Sequence, residues 1–362
     1  MRRPFRLSDI DWFLLLVALA LAIIGVVEIY STTLHTPLAG QYRKQVYWLI
    51  ISGILALAAS RLDYHLILEQ IPWLYGGSLV LLAGLLVAGH SIAGTRRWLQ
   101  MGPISFQVSE VVKLIIILAV AAYFADKRVK AITWGDLVKL GIIAGIPAIL
   151  VALEPDLGTA LTFVPIVAAG VVFAGIRIQH VAVLCLIGIL MLPVGYHFLR
   201  PYQRERIMTF VHPKQKTQTA SYQVTQTKIA IGSGGFWGKG MGNGTQSRLG
   251  FIPVSHADSI FAAFAEEQGF VGTLLVLLLY FALLLRLLDG AQMAPDRAGA
   301  FFLIGLTAVL FFQVVVNTGM MIGVLPITGI PLPLMSQGGS SLLFTFLSLG
   351  LAMSVRARRY VN

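Results

Sequence analysis

Long apolar runs alternate with short polar gaps along almost the whole chain. Each run is long enough, or nearly so, to cross about 30 Å of hydrocarbon as a helix. The runs are Trp12–Tyr30, Gln45–Ser60, Ile71–Gly89, Phe106–Phe124, Leu137–Leu153, Leu157–Gly175, Val181–Phe198, Ser259–Leu288, Ala298–Gly323 and Gly338–Val355. The pattern predicts an all-α polytopic membrane protein of about ten transmembrane helices, the second and fifth of them short. One polar stretch breaks the rhythm between the seventh and eighth runs, from about Arg200 to Asp258. The chain reads as a single membrane domain, with residues 199–258 as a long loop within it.

Composition removes the soluble alternative. Hydrophobic residues make up 57% of the 362 and charged residues 12%, against roughly 25% charged in soluble domains. The head MRRPFRLSDID is basic like a signal peptide, but the apolar run after it is long and lacks a small-residue cleavage site. A retained first span is expected. The one cysteine, Cys185, allows no intrachain disulfide and sits in an apolar run, where packing is its expected role.

Lysine and arginine in the short loops set the orientation. With the N-terminus inside, fourteen fall on inner segments and only four (Arg43, Lys44, Arg96 and Arg97) on short outer loops. Both termini are therefore predicted to be cytoplasmic and the long loop extracytoplasmic. Most of the net charge of +11 is then topology signal against an anionic leaflet, not a nucleic-acid footprint. The long loop differs. Its eight cations, Arg206 and Lys228 among them, face only Glu205 and Asp258, which suits either an anionic ligand or lipid headgroups.

Charges inside spans are costly and mark candidate sites. Glu110 and Lys113 are three apart on the fourth span, hence on one face, and form either a structural or a functional charge pair. Glu266 and Glu267 have no basic partner in their own span, so a wet groove or a neighbouring helix must satisfy them. Glu154 and Asp156 bracket Pro155, where they could hold a cation or where Asp156 could cap the next helix. Seven glycines between Gly232 and Gly244 could approach a phosphate, but without a strand-loop-helix setting tight turns are the plainer reading. Ser255 and Asp258 in SHAD have capping-box spacing, the structural alternative to catalysis by Asp258. Pro326, Pro331 and Pro333 forbid a regular helix through NTGMMIGVLPITGIPLPLMSQGGSS, which is expected to line a cavity. The seven histidines are scattered, so no metal-ligand cluster is read.

Several of these segments together resemble the SEDS family: GTRRWLQMGPISFQVSEVVKL, EPDLGTAL, YQRERIMTFVHP, SYQVTQTKIAIGSGGFWGKGMGNGTQSRLGFIPVSHADSIFAAFAEEQGFVG and the proline-rich segment. Lys228 with IAIGSGG, and GTQS at Gly244–Ser247, look more like the elongation-type RodA branch than the division-type FtsW branch. The resemblance covers nearly the whole chain. It implies a glycosyltransferase joining lipid II units outside the bacterial cytoplasmic membrane, and it places the family's functional aspartate on Asp258, its loop tryptophan on Trp98 and its glutamate-lysine pair on Glu110 and Lys113. Where the family usually reads PExHTDFIF, this chain reads PVSHADSIF, with Val254, Ala257 and Ser259 as departures; Val108, Glu154 and Gln337 are smaller ones.

On that resemblance, Asp258 would take the proton of the acceptor 4-hydroxyl, and Arg206 and Lys228 are the first candidates to meet the departing pyrophosphate. The resemblance fixes no cofactor, and a divalent cation could share that work. Lipid tails would lie in grooves between spans. The implied protein partner is a class B penicillin-binding protein, which would cross-link the nascent glycan. A lipid II flippase, a division-type polymerase and a noncatalytic scaffold are the alternatives.

Overall fold

The computed structural model describes residues 9–34, 36–88, 98–101, 104–126, 132–211 and 219–358. In chain order the elements are α1 (Trp12–Thr33), α2 (Gln41–Arg61), α3 (Tyr64–Glu69), α4 (Ile71–Ala88), β1 (Trp98–Met101), β2 (Ile104–Gln107), α5 (Val108–Asp126), α6 (Trp134–Leu153), α7 (Leu157–Leu161), α8 (Phe163–Phe173), α9 (Ile178–Phe198), α10 (Pro201–Val211), α11 (Thr219–Gly234), α12 (Thr245–Arg248), α13 (Ile260–Gln292), α14 (Arg297–Met321) and α15 (Gly339–Ala357).

Helix stands at each of the ten predicted places, and seven described helices are long and apolar enough to cross a membrane: α1, α5, α6, α9, α13, α14 and α15. The sixth predicted run is split at Thr162 into α7 and α8, because Asp156 and Thr159 form a tight capped turn first. One detail corrects the all-α expectation. Residues 98–101 and 104–107 are the paired strands of a short antiparallel hairpin, Trp98 opposite Gln107, so Phe106 and Gln107 belong to a strand and not to the fourth span. Within the predicted long loop, α10, α11 and α12 are helical.

The core lies on α5 and α14, whose residues are buried on almost every face. Small residues bring backbones together elsewhere, as membrane helices do. A Cβ on Gly350 of α15 would fall 2.4 Å from the Ala56 carbonyl oxygen of α2. The proline-rich segment is buried as expected: Met335 packs on Gly25 of α1, and the Tyr280 hydroxyl donates to the Pro333 carbonyl. Cys185, expected to pack, is instead exposed on α9.

The polar connections gather into two sets. One joins the start of α1 to the ends of α13 and α15: Arg286 and Arg356 both reach Asp11 and Asp289, at 2.8–3.2 Å. Beside it, His65 bridges Asp63 (2.9 Å) and Asp296 (2.7 Å), and the Tyr64 hydroxyl donates to Asp296. Every residue of this set lies at or beside a segment assigned to the inner side by charge. The other set joins the segments assigned to the outer side, through Gln337 to Gln41, Gln107 to Asp156, Tyr202 to the Pro155 carbonyl and Gly242 to Ser31.

The first set makes stability pH-dependent. Burial works against the charge of Asp296, but the Gly299 amide, the Tyr64 hydroxyl and His65 outweigh it and hold the carboxyl below its ordinary range. At Asp63 burial is likewise outweighed, by His65 and Arg358. A carboxyl whose folded pKa is depressed stabilises the fold above its unfolded pKa and loses that contribution as pH falls through the folded value. Thermal melting in detergent is therefore expected to hold steady from pH 7 to about 5 and to fall below about 4, near the ordinary carboxylate range. Asp296→Asn should melt lower at pH 7 and show a smaller acid decline.

Candidate functional site

Residues 254–259 are turns, and α13 begins at Ile260 with Ser259 at its N-cap and no side-chain cap. The predicted capping box of Ser255 and Asp258 is not formed. Val254 takes a φ of +50°, and its carbonyl accepts the amides of Ala257 (3.1 Å) and Ser259 (3.4 Å), so the turn closes on its own backbone. The segment is then fastened from outside. Ser336 Oγ donates to the Ala257 carbonyl (2.8 Å), the Gln337 amide to the His256 carbonyl (3.0 Å), and Gln223 Nε2 to Ser259 Oγ (3.1 Å). Asn317 Nδ2, fully buried on α14, donates to both the Asp258 carbonyl (2.9 Å) and the Ile330 carbonyl (2.8 Å). The main chain of Asp258 is thus held while its side chain stays partly exposed.

That side chain reaches the proline-rich segment. A Cβ built on Gly329 would lie 3.3 Å from Asp258 Oδ2 and 3.6 Å from Arg206 Nη1, so carboxylate and guanidinium converge over a residue with no side chain of its own. Arg206 also points Nη1 at the Ile327 carbonyl, at 3.5 Å. Lys228 of α11 lays its end across Gly323, where a Cβ would be 2.4 Å from Nζ. Arg206, Thr209, Lys228, Gly323, Pro326 and Ile327 line one cavity of about 70 Å³. Three residues singled out by sequence therefore meet along residues 323–330. Burial pushes the His256 imidazole below its ordinary pKa and so keeps it neutral near pH 7. The cations facing this cavity are Arg206 and Lys228, and among the described residues no group of three or more His, Cys, Asp or Glu is placed to hold a metal ion.

Trp98 heads the hairpin, and its cross-strand partner Gln107 donates to Asp156 Oδ2 at 2.9 Å. Asp156 also caps α7 by accepting from the Thr159 amide (3.2 Å). Trp98 is thereby tied to the turn that receives Tyr202 of α10, four residues before Arg206. Glu110 and Lys113 form a buried pair, Nζ 3.0 and 2.9 Å from the two carboxylate oxygens. Both line a small cavity of about 20 Å³ with Leu306, Gln313 and Phe344, on α14 and α15.

The glycine-rich stretch serves turns. Gly235, Gly238, Gly240 and Gly242 all have positive φ. Helix α13 is broken at Gly269, with φ +64° and ψ −163°, and the glycine loop supplies the hydrogen bonds that the break leaves open. Phe270 and Val271 amides donate to the Gly235 (2.9 Å) and Phe236 (3.1 Å) carbonyls, and Lys239 and Gly240 amides donate to Glu266 (3.1 Å) and Glu267 (3.0 Å) carbonyls. The two glutamates find partners from outside their helix. Glu266 accepts from Lys239 Nζ (2.7 Å) and from the Gln246 and Ser247 amides at the start of α12. Glu267 accepts from Ser31 Oγ of α1 at 2.7 and 2.6 Å. Sequence reading missed Ser31, Asn317 and Ser336. The available signal was a polar residue inside an apolar run, as with Asn317 in VVVNTGMM.

Against known proteins, the family model of FtsW, RodA and SpoVE, described as cell cycle protein, matches residues 11–361. The chain belongs to this family. Among FtsW/RodA/SpoVE relatives, peptidoglycan glycosyltransferase MrdB of Escherichia coli K12 is 34% identical over 352 residues, covering 97% of this chain and 94% of that protein. A probable peptidoglycan glycosyltransferase FtsW of Trichlorobacter lovleyi is 31% identical over 373 residues, covering 99% and 96%. Among solved structures, a chain described under "Structural coordination of polymerization and crosslinking by a peptidoglycan synthase complex" superposes with a TM-score of 0.84 at 32% identity, covering 98% of this chain and 99% of that one. The FtsW/RodA/SpoVE likeness therefore extends through every element described above.

Proposed function

We propose that this chain is a peptidoglycan glycosyltransferase that polymerises lipid II into β-1,4 glycan at the outer face of the bacterial cytoplasmic membrane, with Asp258 as its general base. The observation that carries this reading is the convergence of the Asp258 carboxylate and the Arg206 guanidinium over bare Gly329, with Lys228 on the adjoining cavity. The relatives' names supply the reaction class. The membrane placement rests on the seven apolar helices and on the bias of lysine and arginine towards one set of loops, which puts both termini inside and residues 199–258 outside.

In this mechanism the acceptor 4-hydroxyl oxygen attacks C1 of the donor sugar as Asp258 takes its proton. The bond from C1 to the pyrophosphate oxygen breaks, and attack from the opposite face inverts an α-linked donor to a β product. Asp258 needs a fixed position within reach of substrate, which the backbone anchors and the partial exposure of the residue support. Arg206 and Lys228 stabilise the leaving pyrophosphate, arginine through its fork and lysine as a point charge. Trp98 is a substrate contact at the rim. The Glu110–Lys113 pair fixes α5 against α14 and α15, and grooves between helices take the lipid tails.

Elongation is the process we assign, on the likeness of the Lys228 and GTQS segments to the RodA branch; division remains the alternative, since an FtsW relative matches almost as well. A class B penicillin-binding protein is the proposed partner, a reading supported by the solved neighbour in a complex that coordinates polymerisation and crosslinking.

The test is polymerisation of purified lipid II by this chain with that partner, run beside a lipid II flipping assay in vesicles. Glycan strands without flipping support the enzyme; flipping without strands supports a flippase. Arg206→Ala and Lys228→Ala should each slow strand formation by roughly 10- to 100-fold, the scale of one hydrogen bond to a charged group at about 1.5–3 kcal/mol, with little change in melting temperature.

A further inference from the structure

Phe236 and Trp237 stand at the tip of the glycine loop, 69% and 82% exposed. So large an aromatic exposure is unusual for a segment whose backbone is so firmly bonded to α13. Their height along that helix can be measured. Asp289 and Arg286 mark one end of the apolar part of α13, where Arg286 bridges Asp289 and Asp11. Counting back 20 residues from Asp289 at about 1.5 Å per residue gives about 30 Å, the hydrocarbon thickness, and arrives at Gly269. The loop is bonded at that level, through Phe270 to Gly235 and Val271 to Phe236.

The surface is also continuous with one that already faces outward. The Phe236 ring meets the Phe270 ring with centroids 5.5 Å apart, and Phe270, Leu274, Leu275 and Leu278 continue the exposed apolar face down α13. Tryptophan and phenylalanine at the edge of such a face are the residues that settle at the boundary of headgroups and acyl chains. The cation beside them, Lys239, is turned back to Glu266 and does not break the apolar tip.

We infer that Phe236 and Trp237 are a membrane anchor, inserted at the outer boundary of the bilayer beside the break in α13. The occupant of this surface is lipid. The anchor fixes the depth of the glycine loop, and through α11 that of Lys228. The inference rests on the membrane reading given above, and its test separates the two.

Native Cys185 on α9 is the only thiol of the chain and is exposed. Its bimane adduct, in vesicles of phosphatidylethanolamine and phosphatidylglycerol, reports whether α9 meets lipid. Trp237→Cys and Phe236→Cys, each in a Cys185→Ser background, carry the same label at the tip. The expected result is several-fold stronger quenching of both tip labels by lipids bearing a nitroxide high on the acyl chain than by aqueous iodide, with Cys185 quenched by lipid as well. Lipid quenching at Cys185 with iodide quenching at both tip positions overturns the anchor and leaves the membrane reading standing. Iodide quenching at all three overturns both. Iodide quenching at the tip that disappears when a class B penicillin-binding protein is added assigns the surface to a protein and also overturns the anchor.

Discussion

Gly238→Ala is expected to abolish most of the folded protein. A Cβ there would lie 2.1 Å from the Glu267 carbonyl oxygen and 2.5 Å from its carbon, and the backbone stands at φ +79°. Backbone cannot move aside as a flexible side chain can, because Glu267 is held by Ser31 and by the Gly240 amide. A clash of this kind added to a left-handed alanine should cost more than about 4 kcal/mol, a range reserved for a few severe mechanisms. Monodisperse yield in detergent and melting temperature should both collapse. Gly235→Ala is the matched control. It has a φ of +57° but nothing within 4 Å of its Cβ, so only the conformational penalty of about 1–2 kcal/mol applies.

Asp258→Asn should do the opposite: it should leave the fold alone and remove the activity. Asparagine matches aspartate in size, and Asn317 holds the backbone carbonyl of this residue whichever side chain it carries. The N-cap of α13 is Ser259 and not residue 258, so the helix start is kept in the variant. The side chain, however, can no longer accept the proton of an attacking hydroxyl. A positioned base contributes on the order of 10²–10⁴ in rate. Strand formation at saturating lipid II should fall by that factor while the melting temperature moves by no more than about a degree, the shift of a few tenths of a kcal/mol.

Much of this was legible in the residues. The apolar runs located the helices because a membrane span must satisfy its own backbone and present apolar side chains. Asp258, Arg206 and Lys228 stood out as charges of a polar loop at a membrane edge. The capping box failed because two arrangements share the SHAD spacing, and only tertiary contacts from Ser336, Gln337 and Asn317 select the turn. Those three come from the far end of the chain, and nothing near His256 or Asp258 in sequence announces them. The hairpin at Trp98 has strands of four residues, too short for an alternating pattern to emerge. The break in α13 was hidden for another reason. Gly269 lies inside an apolar run with Gly272 three residues on, and only the partner loop at Gly235–Gly240 shows that the helix breaks there.

The most direct test of the central claim is a single transfer between prebound lipid II molecules, comparing wild type with Asp258→Asn in the presence of the class B partner, at equal folded amounts. Retained lipid II binding with no glycosidic bond formed in the variant is the predicted result. Bond formation by Asp258→Asn at close to the wild-type rate would contradict it and place the base elsewhere.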